Sequence, residues 1–243
     1  MAAAISLKGI EAPYQRHQFD RMTADGLAAI REGRIAAESV PGDGGRWGLS
    51  VVFTPMGHLR DQLDALTAEA ITLGGNEHWR TGSKGSAHVT VRALEPRSSE
   101  PLNPVDFEQY VAAVGRAAVD IRSVSFEFVG LAASAGTVMA CAHSVDGRAN
   151  ELRHRLQIEL GEYGWLENNH FASGRDPIWY ATLVNFTGPL ENPEHFIDWF
   201  SRSRSINLGT AEFGQVELCR WTFQDLRMVP EVIRPIRLGE QSA

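Results

Sequence analysis

The sequence predicts an α+β protein with two lobes, built from duplicated β-α-β-α-β units related by a pseudo-two-fold axis. Three observations lead there. Apolar residues switch repeatedly between period-two and helical spacing. The order strand, helix, strand, helix, strand occurs twice along the chain. The two copies also have similar lengths, with 37 residues from Val51 to His88 and 41 from Met139 to Tyr180. With 243 residues, 43% of them apolar and 22% charged, the chain can bury a substantial core.

The elements follow in order. Residues 1–46 read as an N-terminal extension, in which TADGLAAIREG (Thr23 to Gly33) has a helix start and a glycine stop and VPGDGGR is a turn-rich connector. WGLSVVFTP reads as a strand. In GHLRDQLDALTAEAITLGG, Leu59, Leu63 and Leu66 recur at helical spacing before a Gly-Gly stop. The loop NEHWRTGSKG leads into the strand SAHVTVRAL, residues 86 to 94. A second helix, NPVDFEQYVAAVGRAAVDI, carries Pro104 in its first turn. SVSFEFVGL and TVMACAHSV flank the turn AASAG as a hairpin, and the latter strand opens the second series. The series continues with a helix capped by Asp146, the strand PIWYATLVNF, a helix capped by Asn192 with Pro193 behind it, and closing strands in AEFGQVELCRWTFQDL. A bilobed domain is expected over 47–228, its lobes pairing strands around 88–94 and 178–186, with 229–243 as a C-terminal tail.

Composition narrows the function. A net charge of -7 argues against a grip on long nucleic acid, which needs a basic stripe, but leaves room for a small anion held by a few local cations. Cys141 and Cys219 sit in apolar strand-like runs and read as small buried hydrophobes, in keeping with a reducing cytoplasm. No run has the length of a membrane span or a signal peptide, so a cytoplasmic location without membrane contact is expected. His58, His78, His143, His154, His170 and His195 show no metal-ligand spacing, and the glycine pairs lack a phosphate-loop context, so no metal or organic cofactor is expected.

One strand carries chemistry. Alternation puts His88, Thr90 and Arg92 on one face of SAHVTVRAL and Ala87, Val89 and Val91 on the other. The apolar face suits a core; the polar face suits an anion-binding cleft. A half-exposed strand with an ordinary surface histidine gives the same pattern, so the stretch does not settle the matter alone. Its place in the duplicated order adds to it. HVTVRAL resembles the first His-x-Thr strand of the 2H phosphoesterase superfamily, the 2′,5′ RNA ligase-like (LigT-like) and cyclic nucleotide phosphodiesterase proteins. The likeness in element order spans about residues 47 to 225. YATLVNF falls where the second such strand belongs; Thr182 matches, whereas Tyr180 stands in place of the second histidine.

The resemblance implies catalytic roles for His88, Thr90 and Thr182 on a small phosphate ester or nucleotide. Opening a cyclic phosphate or cleaving a phosphodiester needs one group to take a proton and another to give one, and the hydroxyls bind phosphoryl oxygens. Arg92 can add a charge-assisted contact, or can be a solvated arginine at a strand end. Tyr180 is a poor base, being protonated at neutral pH. Three consequences stay open: Tyr180 serves as the acid or phosphate anchor opposite a His88 base; the site binds a nucleotide or an RNA end without cleaving it; or the pocket serves another reaction. Trp79 can stack on a base, and Lys84, Arg80 and Arg175 can reach a phosphate from the rim, although loop charges are usually just solvated. Trp179 alternates to the opposite face from Tyr180 and reads as core.

Overall fold

Two antiparallel half-sheets meet at one residue pair in the middle of an eight-stranded sheet. The computed structural model describes residues 11–42, 45, 47–99, 103–161 and 178–239. Arg175 and His170 lie outside the described residues. The elements run α1 (Glu11–Arg31), β1 (Trp47–Phe53), α2 (Gly57–Gly74), β2 (Val89–Ala93), α3 (Pro104–Ala118), β3 (Val124–Ala133), β4 (Thr137–Ser144), α4 (Arg148–Gly161), β5 (Trp179–Asn185), α5 (Pro193–Ser203), β6 (Asn207–Phe213), β7 (Gln215–Gln224) and β8 (Arg227–Arg237). The strand order is β6-β3-β4-β5-β2-β1-β7-β8, and every neighbouring pair is antiparallel. Exchanging β1 with β4, β2 with β5 and β7 with β3 maps the six central strands onto themselves. The strand order is thus symmetric about the β2–β5 joint. The two halves share one continuous sheet.

Most boundaries follow local chemistry. The Asn103 side chain accepts the Val105 N–H at 3.0 Å, with Pro104 behind it, which starts α3. Asp146 accepts from Arg148 N at 3.1 Å and starts α4. Asn192 behaves differently from the expected side-chain cap, since only its backbone carbonyl is used, by Phe196 N at 3.0 Å. Gly33, at φ 66°, takes the left-handed turn that ends α1. The run read as a tail from 229 is largely strand: β8 pairs with β7 from Arg227 to Arg237. Pro230 and Pro235 disguise it, but the strand lies at a sheet edge, where a missing N–H is tolerated.

Leu63 of α2, Val114 of α3, Leu156 of α4 and Phe196 of α5 all enter one main core with Val89 and Ala181. The opposite face carries two smaller clusters. Val52, Cys219 and Trp221 form one on the β1–β7 side. The other, on the β4–β5 side, gathers Ala132, Met139, Cys141 and Tyr180 under Phe19 and Met22 of α1. This helix starts well before the predicted Thr23. Thr23 Oγ1 accepts the Ala133 N–H at 3.2 Å, and a Cβ on Gly26 would sit 2.6 Å from the Ala133 carbonyl oxygen, so α1 lies directly on the end of β3.

The central joint is narrow. β2 and β5 pair at Val89↔Ala181 alone. Beyond it Arg153 of α4 takes over: Nη2 donates to Thr90 O at 3.0 Å and Nε to Val91 O at 3.1 Å, with the guanidinium 3.3 Å from the Trp179 ring centroid. Burial pulls its pKa down to about 9. Replacing Arg153 by leucine strips two buried carbonyls of a charged donor, each worth about 1.5–3 kcal/mol. Arg153→Leu is therefore expected to lower unfolding free energy by about 3 kcal/mol or more in urea melts; a loss below about 1 kcal/mol would show that the joint does not depend on this bridge.

Candidate functional site

The pair Val89↔Ala181 sets the geometry of the site. Both residues face the main core, so their sequence neighbours turn to the other side. In an antiparallel pair His88 then lies beside Thr182 and Thr90 beside Tyr180, all four on one face. Each strand is irregular immediately after its threonine. Val51 pairs with Arg92 and Val52 with Thr90, which leaves Val91 as an extra residue; Val138 pairs with Val184 and Met139 with Thr182, which leaves Leu183. The bulges return Ala93 and Asn185 to the face of the two threonines, and both line a cleft of about 700 Å3 with His88 and Thr90.

Arg92 does not follow His88 and Thr90 along that face. The bulge at Val91 turns it away, opposite Val51 of the main core, where it is 3% exposed and burial lowers its pKa. Lys84 sits in an exposed loop with Nζ 3.4 Å from Asp61 of α2, outside the cleft lining. Arg80 lines a separate depression with Asp64 and Asp225. Trp79 does line the cleft. It is 2% exposed, its backbone exchanges hydrogen bonds with Asn185 at 3.0 and 3.1 Å, and its ring meets Trp47 edge-on at 5.4 Å. Trp179 is fully buried in the main core.

His88 is held in one tautomer. Nδ1 lies 2.9 Å from the Ser86 carbonyl oxygen, which can only accept, so Nδ1 carries the hydrogen and Nε2 keeps the lone pair. Ser86 is itself fixed by its hydroxyl, which donates to Met228 O at 2.5 Å. The Trp221 ring lies over the imidazole, with centroids 4.1 Å apart and planes inclined by 37°. Burial lowers the His88 pKa, against a smaller opposing effect of the Ser86 bond, so the neutral base form dominates at neutral pH.

Tyr180 has a different environment. It is partly buried in the cluster under Phe19 and Met22, across from Cys141 on β4. Burial raises its pKa, with the Arg153 charge opposing, so the phenol stays protonated. It can donate a hydrogen bond but cannot act as a base. Thr182 is also partly exposed on this face.

Sequence reasoning passed over several cleft residues. Trp221 and Trp47 come from β7 and β1, and nothing local ties either to His88. Asn185 had a readable signal, because HVTVRA laid over YATLVN places it where Ala93 stands. Beyond the tryptophans the cleft reaches Glu95, Arg97 and Glu38. Glu95 is bound by Arg220 at 2.9 Å.

No family model matches this chain, and no curated protein matches it by sequence. Solved structures do match its fold. TT0787 of Thermus thermophilus superposes with a TM-score of 0.58 at 16% identity, covering 81% of this chain and 100% of that one. A protein solved as a phosphoesterase gives 0.56 at 13%, covering 80% and 99%. E. coli LigT, solved with 3′-AMP, gives 0.52 at 11%, again covering 80% and 99%. The chain thus shares the α+β fold of LigT-like phosphoesterase structures.

Trp221 is the group that keeps water from one face of the imidazole. Trp221→Ala is expected to raise the His88 pKa toward the ordinary value of 6.5, followed by NMR titration of the ring protons. An unchanged value would mean that the indole's attraction for the charged ring balances the desolvation it imposes on it, and a lower value that the attraction outweighs it.

Proposed function

We propose that this protein is a metal-independent phosphoesterase acting on a small nucleotide or on a cyclic or 2′,5′ phosphodiester, with His88 as the general base. The carrying observation is the single tautomer of His88: Ser86 holds the Nδ1 hydrogen, Nε2 keeps the lone pair, and His88 and Thr90 both line the cleft. In this reading Nε2 takes the proton from the oxygen that attacks phosphorus. The bond from phosphorus to the leaving oxygen breaks, and that oxygen takes a proton from the Tyr180 hydroxyl, which is in its protonated form. The Thr90 and Thr182 hydroxyls donate to the non-bridging oxygens as negative charge builds there. Trp47, partly exposed at the cleft and backed by the buried Trp79, offers a ring for a base to stack on. LigT structures, of the same fold, have been solved with 3′-AMP and with phosphate.

A second reading draws on the packing of Tyr180 against Phe19 and Met22 of α1. A phenol held under a helix is poorly placed to follow a leaving group, and the cleft then binds a nucleotide, phosphate ester or RNA end without cleaving it.

Incubation with nucleoside 2′,3′-cyclic phosphates and short 2′,5′-linked oligonucleotides separates the two. The phosphoesterase reading expects turnover that falls at least about 100-fold in His88→Ala. It also fixes the sign of the pH dependence. Burial lowers the pKa of a base that works deprotonated, so the acid limb of the rate profile falls below 6.5 rather than above it. Tight binding with no turnover of either class supports the second reading instead.

A further inference from the structure

The cleft contains a cation that the phosphoester chemistry at His88 does not use. Among its described lining residues Arg97 is the sole lysine or arginine, and it stands at the end remote from Thr90, past Ala93 and Leu94. Its guanidinium is occupied from within the chain. Nη2 is ion-paired with the Glu38 carboxylate, Nη1 donates to the Ser39 carbonyl at 3.1 Å, and the group lies 5.4 Å from the Trp47 ring centroid. Glu38 belongs to the strap that follows α1. That strap is fixed by its backbone, with Ala36 N donating to Ala135 O at 2.9 Å and Glu38 N to Phe186 O at 2.8 Å.

We propose that Arg97 is the anchor for a second, terminal phosphate of the substrate, and that Glu38 holds its place until the ligand arrives. The inference rests on the phosphoesterase reading and narrows its substrate class to phosphodiesters carrying an additional phosphate monoester at the far end of the molecule. Three observations carry it. The Arg97 and Glu38 side chains are 40% and 35% exposed, so their ion pair is of the surface kind that contributes little and exchanges readily. The Trp47 ring and the Ser39 carbonyl keep the planar fork in position when Glu38 lets go, so a phosphate meets a pre-formed bidentate site. The cleft is continuous from His88 to Arg97, and its volume of about 700 Å3 suits a whole ligand rather than a lone phosphate. Glu38 then acts as a built-in competitor. It admits a phosphate dianion that can displace it and gives no advantage to a ligand whose far end is a neutral hydroxyl.

The test is calorimetric binding of adenosine 2′,3′-cyclic phosphate and its 5′-phosphorylated counterpart to the full chain and three variants. Wild type is expected to prefer the 5′-phosphorylated probe by about tenfold, the effect of one charge-assisted contact. Arg97→Met should bring the two probes to parity while leaving the affinity for the first unchanged. Arg97→Lys should keep part of the preference, and Glu38→Gln should widen it several-fold by removing the competitor. Thermal melts matching wild type certify that the variants are folded. Equal binding of both probes to wild type, or a preference that survives Arg97→Met, overturns the proposal while leaving the phosphoesterase reading intact. If neither probe binds, the anchor proposal falls, and turnover of the 2′,5′-linked oligonucleotides decides the phosphoesterase reading separately.

Discussion

The structure depends on a joint only one residue pair wide. Val89 and Ala181 are the one pair matched between β2 and β5, yet that pair decides which side chains of the two strands share a face. Shifting it by one residue would send His88, Thr90, Tyr180 and Thr182 into the core and Val89 and Ala181 out of it. Burial of Val89 and Ala181 at 0% exposure holds the register, because any slip would put an imidazole, a phenol or a hydroxyl among Phe53, Phe126 and Trp179. Arg153 supplies what the short ladder lacks. It satisfies two carbonyls next to the joint while its flat guanidinium lies against Trp179 from the adjoining strand. Core packing and site geometry are thus one constraint seen from the two faces of the sheet.

The bulges extend that constraint. Both central strands carry their extra residue directly after the threonine, Val91 in one and Leu183 in the other. An irregularity at the same point of two equivalent strands bends each half in the same sense and returns the third residue beyond the threonine to the cleft face. Ala93 and Asn185 occupy those positions and leave different amounts of room. Asn185 is engaged by Thr81 at 2.5 Å and by the backbone of Trp79, so on its side the loop before β2 is drawn over the cleft. Alanine leaves space on the other side, where the opening continues toward Glu95 and Arg97.

The sequence made the architecture legible through repetition. Two series of alternating periodicity, with matching intervals, place eleven of the thirteen elements, and the polar face of HVTVRAL is visible from alternation alone. What escaped has physical reasons. Alternation cannot see a bulge, so Arg92 was expected beside Thr90 although the extra residue at Val91 turns it inward. Prolines mask an edge strand, which hid β8. Long-range stacking leaves no local trace: Trp221 meets His88 across 133 residues of chain. The strap carrying Glu38 reads only as part of the N-terminal extension, because its bonds are backbone bonds to Ala135 and Phe186, which depend on no residue type.

The difference between the two halves has a common origin with α1. His88 and Tyr180 occupy equivalent positions, but the surface above them is not equivalent. Above His88 lies the indole of Trp221, a single ring that leaves the cleft open at the side. Above Tyr180 lies a helix, with Phe19 and Met22 packed into the cluster and Gly26 allowing close approach to the end of β3. Phe19 already packs edge-on against one buried imidazole: His143 has its pKa lowered by burial, and its Nε2 lies 3.4 Å from the Val129 carbonyl oxygen. A second imidazole there would add another group that resists protonation, and hence could not serve as an acid. A phenol fits better, since its ring is apolar enough for Phe19 and Met22 and its hydroxyl stays protonated in any dry setting. The helix and the tyrosine therefore answer one physical requirement. Covering the second half with α1 leaves the two equivalent positions in different surroundings, an imidazole beside an indole on one strand and a phenol under a helix on the other.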